Sequence, residues 1–355
     1  MEDLGLEHLA PMRAVDVING SEFDPYLRKV NASTSSGHGF KGIKAPYLPV
    51  QDDGKRDIIP EVKKMVFENI KRYMNNESNF MVFKASLKDE PRLISKIATG
   101  KTRMFFASSL VDLIISKMYL DPWYSLYMEH PQVFKCAAGV DMHKEAHLLY
   151  DNLLEMDDEI IEWDYSNFDQ TIPFEIKRAA FSINHAVMKY FGYNSVALKV
   201  VRGLMTDMLY PFVSMDGDVY IRAGLQPSGS QATMQVNCDC NRVSIMYIWA
   251  KHPPLERYPI WNNLRGATFG DDTQKAVSKT LRDVFNAVVA KELFKTHLGM
   301  EITPASKNGD MTPTVHISET TFLKRTYRYH EKLGRIVGVL NLNSIVRSFE
   351  WNIRS

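Results

Sequence analysis

Three carboxylates stand where metal chemistry could be done. Asp164 closes Glu159-Ile-Ile-Glu-Trp-Asp, which reads as a strand ending in an acid. Asp271 and Asp272 lie in Thr268-Phe-Gly-Asp-Asp-Thr-Gln-Lys275, which reads as strand, Gly270-led turn, strand. Strand ends and hairpin turns can meet across a sheet, and carboxylates that converge repel unless cations are bound. Few, hard oxygen ligands suit Mg²⁺ or Mn²⁺, which keep several waters and take their remaining ligands from substrate phosphates. Two such ions about 4 Å apart can activate an attacking hydroxyl and stabilise a leaving pyrophosphate. A lone Gly-Asp-Asp is also ordinary turn composition, so the acids need company before they decide anything.

Company stands at two places. Asp169 follows Asp164 by five residues, in the turn expected after the strand. The run Gly224-Leu-Gln-Pro-Ser-Gly229 leads into a helix carrying Thr233, Asn237 and Asn241, whose spacing of four puts them on one helical face. Hydroxyls and amides beside an acid can bind a ribose 2′-OH, which donates and accepts. Ser228 and Gly229 give a small-residue backbone at the helix N-terminus, suited to phosphates. A capping serine and a solvated helix face are the plainer explanations of the same residues.

The stretch 84–103 carries Lys84, Lys88, Arg92, Lys96, Lys101 and Arg103 against Asp89 and Glu90, a local charge of +4. Thr99 to Phe106 looks strand-like, which would send Lys101 and Arg103 to the same side. Such a set can hold a triphosphate or a template backbone. It can equally be a solvated face. Gly100-Lys101-Thr102 is not a phosphate-binding loop of the G-x-x-x-x-G-K-[ST] type, because position 95 is serine.

The elements that must position these groups follow from periodicity and punctuation. Helical patterns run over 61–75 after Pro60, about 107–128, 140–153, from Pro173 to Gly192, from Ser230 to Lys251 and from Thr280 to His297. Phe80–Lys84 and Met300–Thr303 read as strands. From residue 158 on, the order strand–helix–helix–strand–turn–strand–helix–strand predicts an α+β layer, an antiparallel ferredoxin-like sheet backed by helices. The 355 residues are 45% hydrophobic, enough for a large core and too many for a disordered chain. The length predicts about two domains, or one elaborate one. A net charge of +1 leaves any basic surface to local segregation. Three cysteines are too few for a disulfide framework, and Cys238-Asp-Cys240 lacks zinc-site spacing, so reduced structural thiols are expected. No run of about 18 apolar residues and no signal-peptide core is present, which reads as a soluble protein of a reducing compartment.

Taken in order, the motifs resemble the RNA-dependent RNA polymerases of picornavirus-like positive-strand RNA viruses, over about Ser33 to Arg325. Trp163-Asp-Tyr-Ser-Asn-Phe-Asp169 is similar to the family's palm motif A. Pro227-Ser-Gly-Ser-Gln-Ala-Thr233 through Asn237 is similar to motif B, and Phe269-Gly-Asp-Asp272 to motif C. Thr303-Pro-Ala-Ser-Lys307 resembles motif D and Phe322-Leu-Lys-Arg325 motif E. Lys88-Asp-Glu-Pro-Arg92 and Gly100-Lys-Thr-Arg103 resemble the two parts of fingertip motif F, and Ser33-Thr-Ser-Ser-Gly37 a fingers loop.

The resemblance implies a right-hand fold of fingers (1–155), palm (156–190), a fingers insertion (191–222), palm again (223–325) and the start of a thumb (326–355). It implies two Mg²⁺ ions, with Mn²⁺ able to substitute, held by Asp164 and Asp271 with Asp272 assisting. Asp169, Ser228, Gly229, Thr233 and Asn237 would read the nucleotide's ribose. Arg92, Lys96, Lys101 and Arg103 would hold its triphosphate, Lys307 would protonate pyrophosphate, and Lys88, Lys324 and Arg325 would grip RNA. The implied partners are RNA template and primer, ribonucleoside triphosphates, a protein or peptide primer and other viral replication proteins, in the host cytoplasm and at membranes only through partners. Two rivals are a reverse transcriptase-like polymerase and a catalytically idle RNA-binding fragment. Phe269 stands where the family usually has Tyr, and Pro91 where it has Leu. The 30 residues after Arg325 are short for a family thumb, which points to a region excised from a larger polyprotein.

Overall fold

A computed structural model of the chain describes residues 8–90, 94–100, 102–231, 233–306 and 309–350. Arg92, Lys101, Lys307 and the side chain of Lys96 lie outside the described residues, as does Pro91. Strands are numbered along the chain: β1 Val82–Leu87, β2 Met104–Ala107, β3 Glu159–Tyr165, β4 Phe212–Met215, β5 Asp218–Ile221, β6 Leu264–Phe269, β7 Asp272–Val277, β8 Ile302–Thr303, β9 Val315–His316, β10 Arg325–His330 and β11 Arg335–Leu340. The chain divides into two bodies, Met1–Glu129 with Phe174–Val236, and His130–Pro173 with Asn237–Ser355.

The first body combines a sheet of order β2-β1-β4-β5 with long helices. Only the β1–β4 pair in that sheet is parallel. The Pro60–Met74 helix starts on the proline that sequence punctuation marks, and buries Val62, Val66, Ile70 and Tyr73 at helical spacing. Against it packs the Ser195–Leu209 helix, capped by Asn194, whose side chain accepts from the N–H groups of Val196 and Ala197. Gly203 is glycine for a steric reason: a Cβ there would lie 2.2 Å from the Tyr73 ring.

The second body is built on the antiparallel sheet β6-β7-β3-β8, with β9 also pairing β3. Strand β3 is central, and its two faces are both buried. Ile160 joins Ala276, Ala267, Leu153, Met142, Phe322 and Tyr327 in one core. Trp163 and Tyr165 meet Phe294 of the Ala287–Leu298 helix on the other, with ring centroids 5.6 and 5.3 Å apart. This is the expected antiparallel α+β layer, reached by the alternation of inward side chains along β3.

Several boundaries differ from the sequence reading. The strand expected at Phe80–Lys84 is β1, two residues later. The single helix expected over Thr280–His297 is a short 3₁₀ turn, Lys279–Leu281, followed by the Ala287–Leu298 helix. Asn286 causes the break, accepting from Val288 and Val289 N–H as an N-cap. Strand β2 begins at Met104, so Arg103 precedes it rather than alternating within it. Gly100, at φ +68, turns the chain just before.

Candidate active site

The acids are placed by strand register. The β3–β7 ladder ends at the pair Trp163↔Thr273, and Asp164 and Asp272 each stand one residue beyond it at the same end of the sheet. Asp164 also pairs with Thr303 of β8, and Asp272 with Phe269 of β6. The β6–β7 connection is just Gly270-Asp271. Gly270 takes φ +62, a value glycine adopts without the Cβ penalty that other residues incur. Strand β3 continues one residue past Asp164, to Tyr165.

The turn is held from below by the Thr233–Lys251 helix. Cys238 Sγ accepts the Gly270 N–H at 3.0 Å. Asn241 Nδ2 lies 3.1 Å from Gly270 O, 3.0 Å from Asp271 O and 2.8 Å from Thr273 Oγ1, while Asn241 Oδ1 accepts from Tyr165 OH at 3.0 Å. Asn241 is fully buried. One amide therefore couples the acid-bearing turn to the end of β3. Cys136 and Cys238 lie with their sulfurs 3.2 Å apart, both buried and reduced, and burial pushes the Cys238 thiol up, keeping it neutral.

One helical turn before Asn241, Asn237 Nδ2 donates to Asp169 Oδ1 at 2.9 Å. Asp169 sits on the short Phe168–Thr171 helix rather than in an open turn, after Asn167 at φ +55. Asn237 Oδ1 is buried and has no hydrogen-bond partner among the described residues.

In the first body, Thr233 Oγ1 donates toward Pro227 O and Ser230 O, each at 2.9 Å, and so closes the helix N-terminus. Ser228 Oγ accepts from Phe106 N–H at 3.4 Å. Gly229 cannot carry a side chain, because a Cβ would lie 2.0 Å from Phe106 O. Lys88 and Arg103 both face Glu90, at 3.2 and 3.5 Å. Part of the local positive charge is thus answered by an acid of the same stretch.

The chain matches the family of viral RNA-dependent RNA polymerases over residues 4–355. It belongs to that family. The chain is 25% identical to the replicase polyprotein of Drosophila C virus over 96% of its own length. It is 25% identical to the genome polyprotein of human parechovirus 2 over 92% of its length, and 27% identical to that of human hepatitis A virus genotype IA (isolate HAS-15) over 92%. It spans 20%, 14% and 16% of those polyproteins respectively. Among solved structures, a sicinivirus 3Dpol RNA-dependent RNA polymerase superposes with a TM-score of 0.84 at 21% identity, covering 99% of this chain and 71% of that one. The fold is the right-hand polymerase fold.

Within this chain, the structure gathers the sequence-chosen residues unevenly. Asp164 and Asp272 meet at the sheet end with Asp271 in the adjoining turn, and Asp169 bonds Asn237. Among the described residues, no three His, Cys, Asp or Glu side chains close into a metal cage. Mg²⁺ needs none, since one or two carboxylates with waters and phosphate oxygens complete its shell. Lys324 is exposed at φ +60, whereas the Arg325 guanidinium bonds Gly338 O at 2.8 Å and lies 3.1 Å from His143 Nε2. Phe269 packs against the core instead of presenting a hydroxyl. Asn241 leaves the ribose-reading stripe assigned from its spacing: the structure turns it into the Gly270-Asp271 turn. Sequence reasoning assigned no function to Cys238 or Tyr165; only their adjacency to the motifs, at Asn237 and Asp164, marked them.

Proposed function

We propose that this chain carries out template-directed RNA synthesis, the 3′-OH of a primer attacking the α-phosphate of a ribonucleoside triphosphate with pyrophosphate leaving. The observation that carries the reading is the register of β3 on β7. It brings Asp164 and Asp272 to one sheet end, beside the Asp271 turn that Asn241 and Cys238 hold. Asp164 and Asp271, with Asp272 assisting, would hold two Mg²⁺ ions, for which Mn²⁺ can substitute. When bound, such ions lower the pKa of the attacking hydroxyl and offset charge on the leaving pyrophosphate.

The chain's own groups supply position and proton transfer. A turn fixed by buried hydrogen bonds keeps the acids from reorganising during the reaction, the condition for electrostatic catalysis. Asp169 and Asn237 would bind the ribose 2′-OH, with Ser228, Gly229 and Thr233 shaping the loop before them. Arg92, Lys96, Lys101 and Arg103 would neutralise the triphosphate. Lys307 would give a proton to pyrophosphate. Lys88, Lys324 and Arg325 would contact RNA, Arg325 chiefly by holding the β10–β11 hairpin.

We assign the palm to 156–190 and 223–325, fingers to 1–155 and 191–222, and the start of the thumb to 326–355. Partners on this reading are template and primer RNA, a protein or peptide primer and other viral replication proteins, in the host cytoplasm. No helix among the described residues is long and apolar enough to cross a membrane. Metal-dependent incorporation of labelled UMP on a primed poly(A) template tests the reading. Incorporation that needs primer, template and Mg²⁺ or Mn²⁺ supports it, and RNA binding with no incorporation under either metal contradicts it.

A further inference from the structure

A cavity of about 260 Å³ lies in the second body, lined by the charged side chains of Lys135, Arg242, Arg265 and Lys275, by Trp261 and by apolar neighbours such as Ile245. Four cationic side chains and no acid line it. The nearest carboxylates stand outside: Asp239 at 3.7 Å from Arg242, and Glu155, mostly exposed, at 3.9 Å from Arg265.

Lys275 is the telling residue. It lies inside β7, between Ile161 of β3 and Gly266 of β6, and is only 5% exposed. Its Nζ donates to Gly266 O at 3.0 Å. An ammonium carries three protons, and no other acceptor for them stands among the described residues. Burial, with the charges of Arg242 and Lys135 nearby, lowers its pKa to about 7. Lys135 forms no hydrogen bond or ion pair with a described side chain. Burial and the charges of Arg265 and Arg242 lower its pKa as well. Arg265 Nη1 donates to Trp261 O at 3.1 Å, while its Nε is buried with no hydrogen-bond acceptor among the described residues, Glu155 standing 3.9 Å away. Cations gathered in a partly desolvated cavity are unfavourable unless an anion joins them.

We infer that this cavity binds a nucleoside monophosphate, its phosphate between Lys275, Lys135 and Arg265 and its base against Trp261. Phosphate supplies acceptor oxygens for the remaining N–H groups of these donors. The Trp261 ring, 62% exposed at the cavity, offers the flat apolar surface on which a base stacks. The site is separate from the carboxylates. Lys275 and Asp272 are three residues apart on one strand, so their side chains leave opposite faces and their backbones lie about 10 Å apart.

The test is calorimetric titration of the full chain with AMP and, separately, inorganic phosphate, in the absence of divalent metal. Saturable one-to-one binding of AMP is expected. Lys135→Gln and Arg265→Gln, both at partly exposed positions that tolerate replacement, should each weaken AMP by at least about fivefold, as loss of a charge-assisted bond would. Trp261→Ala should weaken AMP and leave phosphate unchanged, and Asp271→Asn should change neither. No saturable AMP binding, a loss below fivefold in both cation variants, or loss of AMP binding in Asp271→Asn would overturn the inference.

Discussion

Asn237 Nδ2 donates to Asp169 Oδ1 at 2.9 Å across 68 residues of sequence, while Asn237 Oδ1 stays buried and unpaired. A buried carbonyl oxygen without a donor is costly, and a ribose 2′-OH is a donor of the right kind. Asn237→Ala should therefore lower ribonucleotide use more than deoxyribonucleotide use. A lost hydrogen bond to a buried partner costs about 1–3 kcal/mol, so selectivity should fall roughly tenfold or more. Competing UTP against dTTP on one primed template measures it. Equal losses for both sugars would make the pair a structural tie.

Asn241 offers a different kind of test, because it touches the backbone of the acid-bearing turn and not a reacting group. Asn241→Ala removes the donor to Gly270 O, leaves Asp271 O with the longer Thr273 Oγ1 bond at 3.3 Å, and takes away the acceptor of Tyr165 OH. The single-turnover incorporation rate should drop at least about tenfold while nucleotide affinity changes little, the pattern of a lost positioning group. A chain that still melts cooperatively but keeps its rate within about twofold would show that the turn holds itself.

Burial makes Asp112 a pH reporter. Its carboxyl is buried, accepts from Ser109 Oγ at 2.7 Å, lies near Asp207, and has its pKa raised to about 7 by desolvation. A raised acid binds its proton more tightly folded than unfolded. Its contribution is present at low pH and is lost as pH climbs from the unfolded value through about 7. Asp112→Asn should accordingly flatten the fall of melting temperature between pH 5 and 8, compared with wild type. An unchanged slope would mean that the carboxyl ionises as readily folded as unfolded.

Lys307, read as a proton donor to pyrophosphate, makes a kinetic prediction. Lys307→Leu should slow single-turnover chemistry by about 10²–10⁴-fold, the usual contribution of a general acid. Lys307→His should retain more, since imidazolium can still give a proton. A Leu variant within about twofold of wild type would assign the proton to water.

The β6–β7 hairpin was legible because Gly270-Asp271 reads as a turn between two strand-like stretches, and a glycine there has one efficient use. The Asp164 strand was legible for the same reason of pattern. Asn286 was not, since helical periodicity runs unbroken through it and only cap geometry reveals the stop. Asn241 misled because a step of four residues rotates about 40° beyond a full turn, and two steps from Thr233 carry it to a different neighbour. The pairing of Glu90 with Lys88 and Arg103 was hidden by counting charges without partners. The cluster of Lys135, Arg242, Arg265 and Lys275 comes from separated stretches, and only the sheet register and the packing helix unite them.

The account stands most directly on Asp271. Asp271→Asn keeps the shape of the side chain and removes a charge from the turn at the end of β6. Incorporation of labelled UMP on primed poly(A) with Mg²⁺, beside RNA binding by the same preparation, measures what that charge does. The account predicts a loss of at least ~10³-fold in incorporation with RNA binding intact, as for a principal metal ligand. Turnover near that of wild type would contradict it.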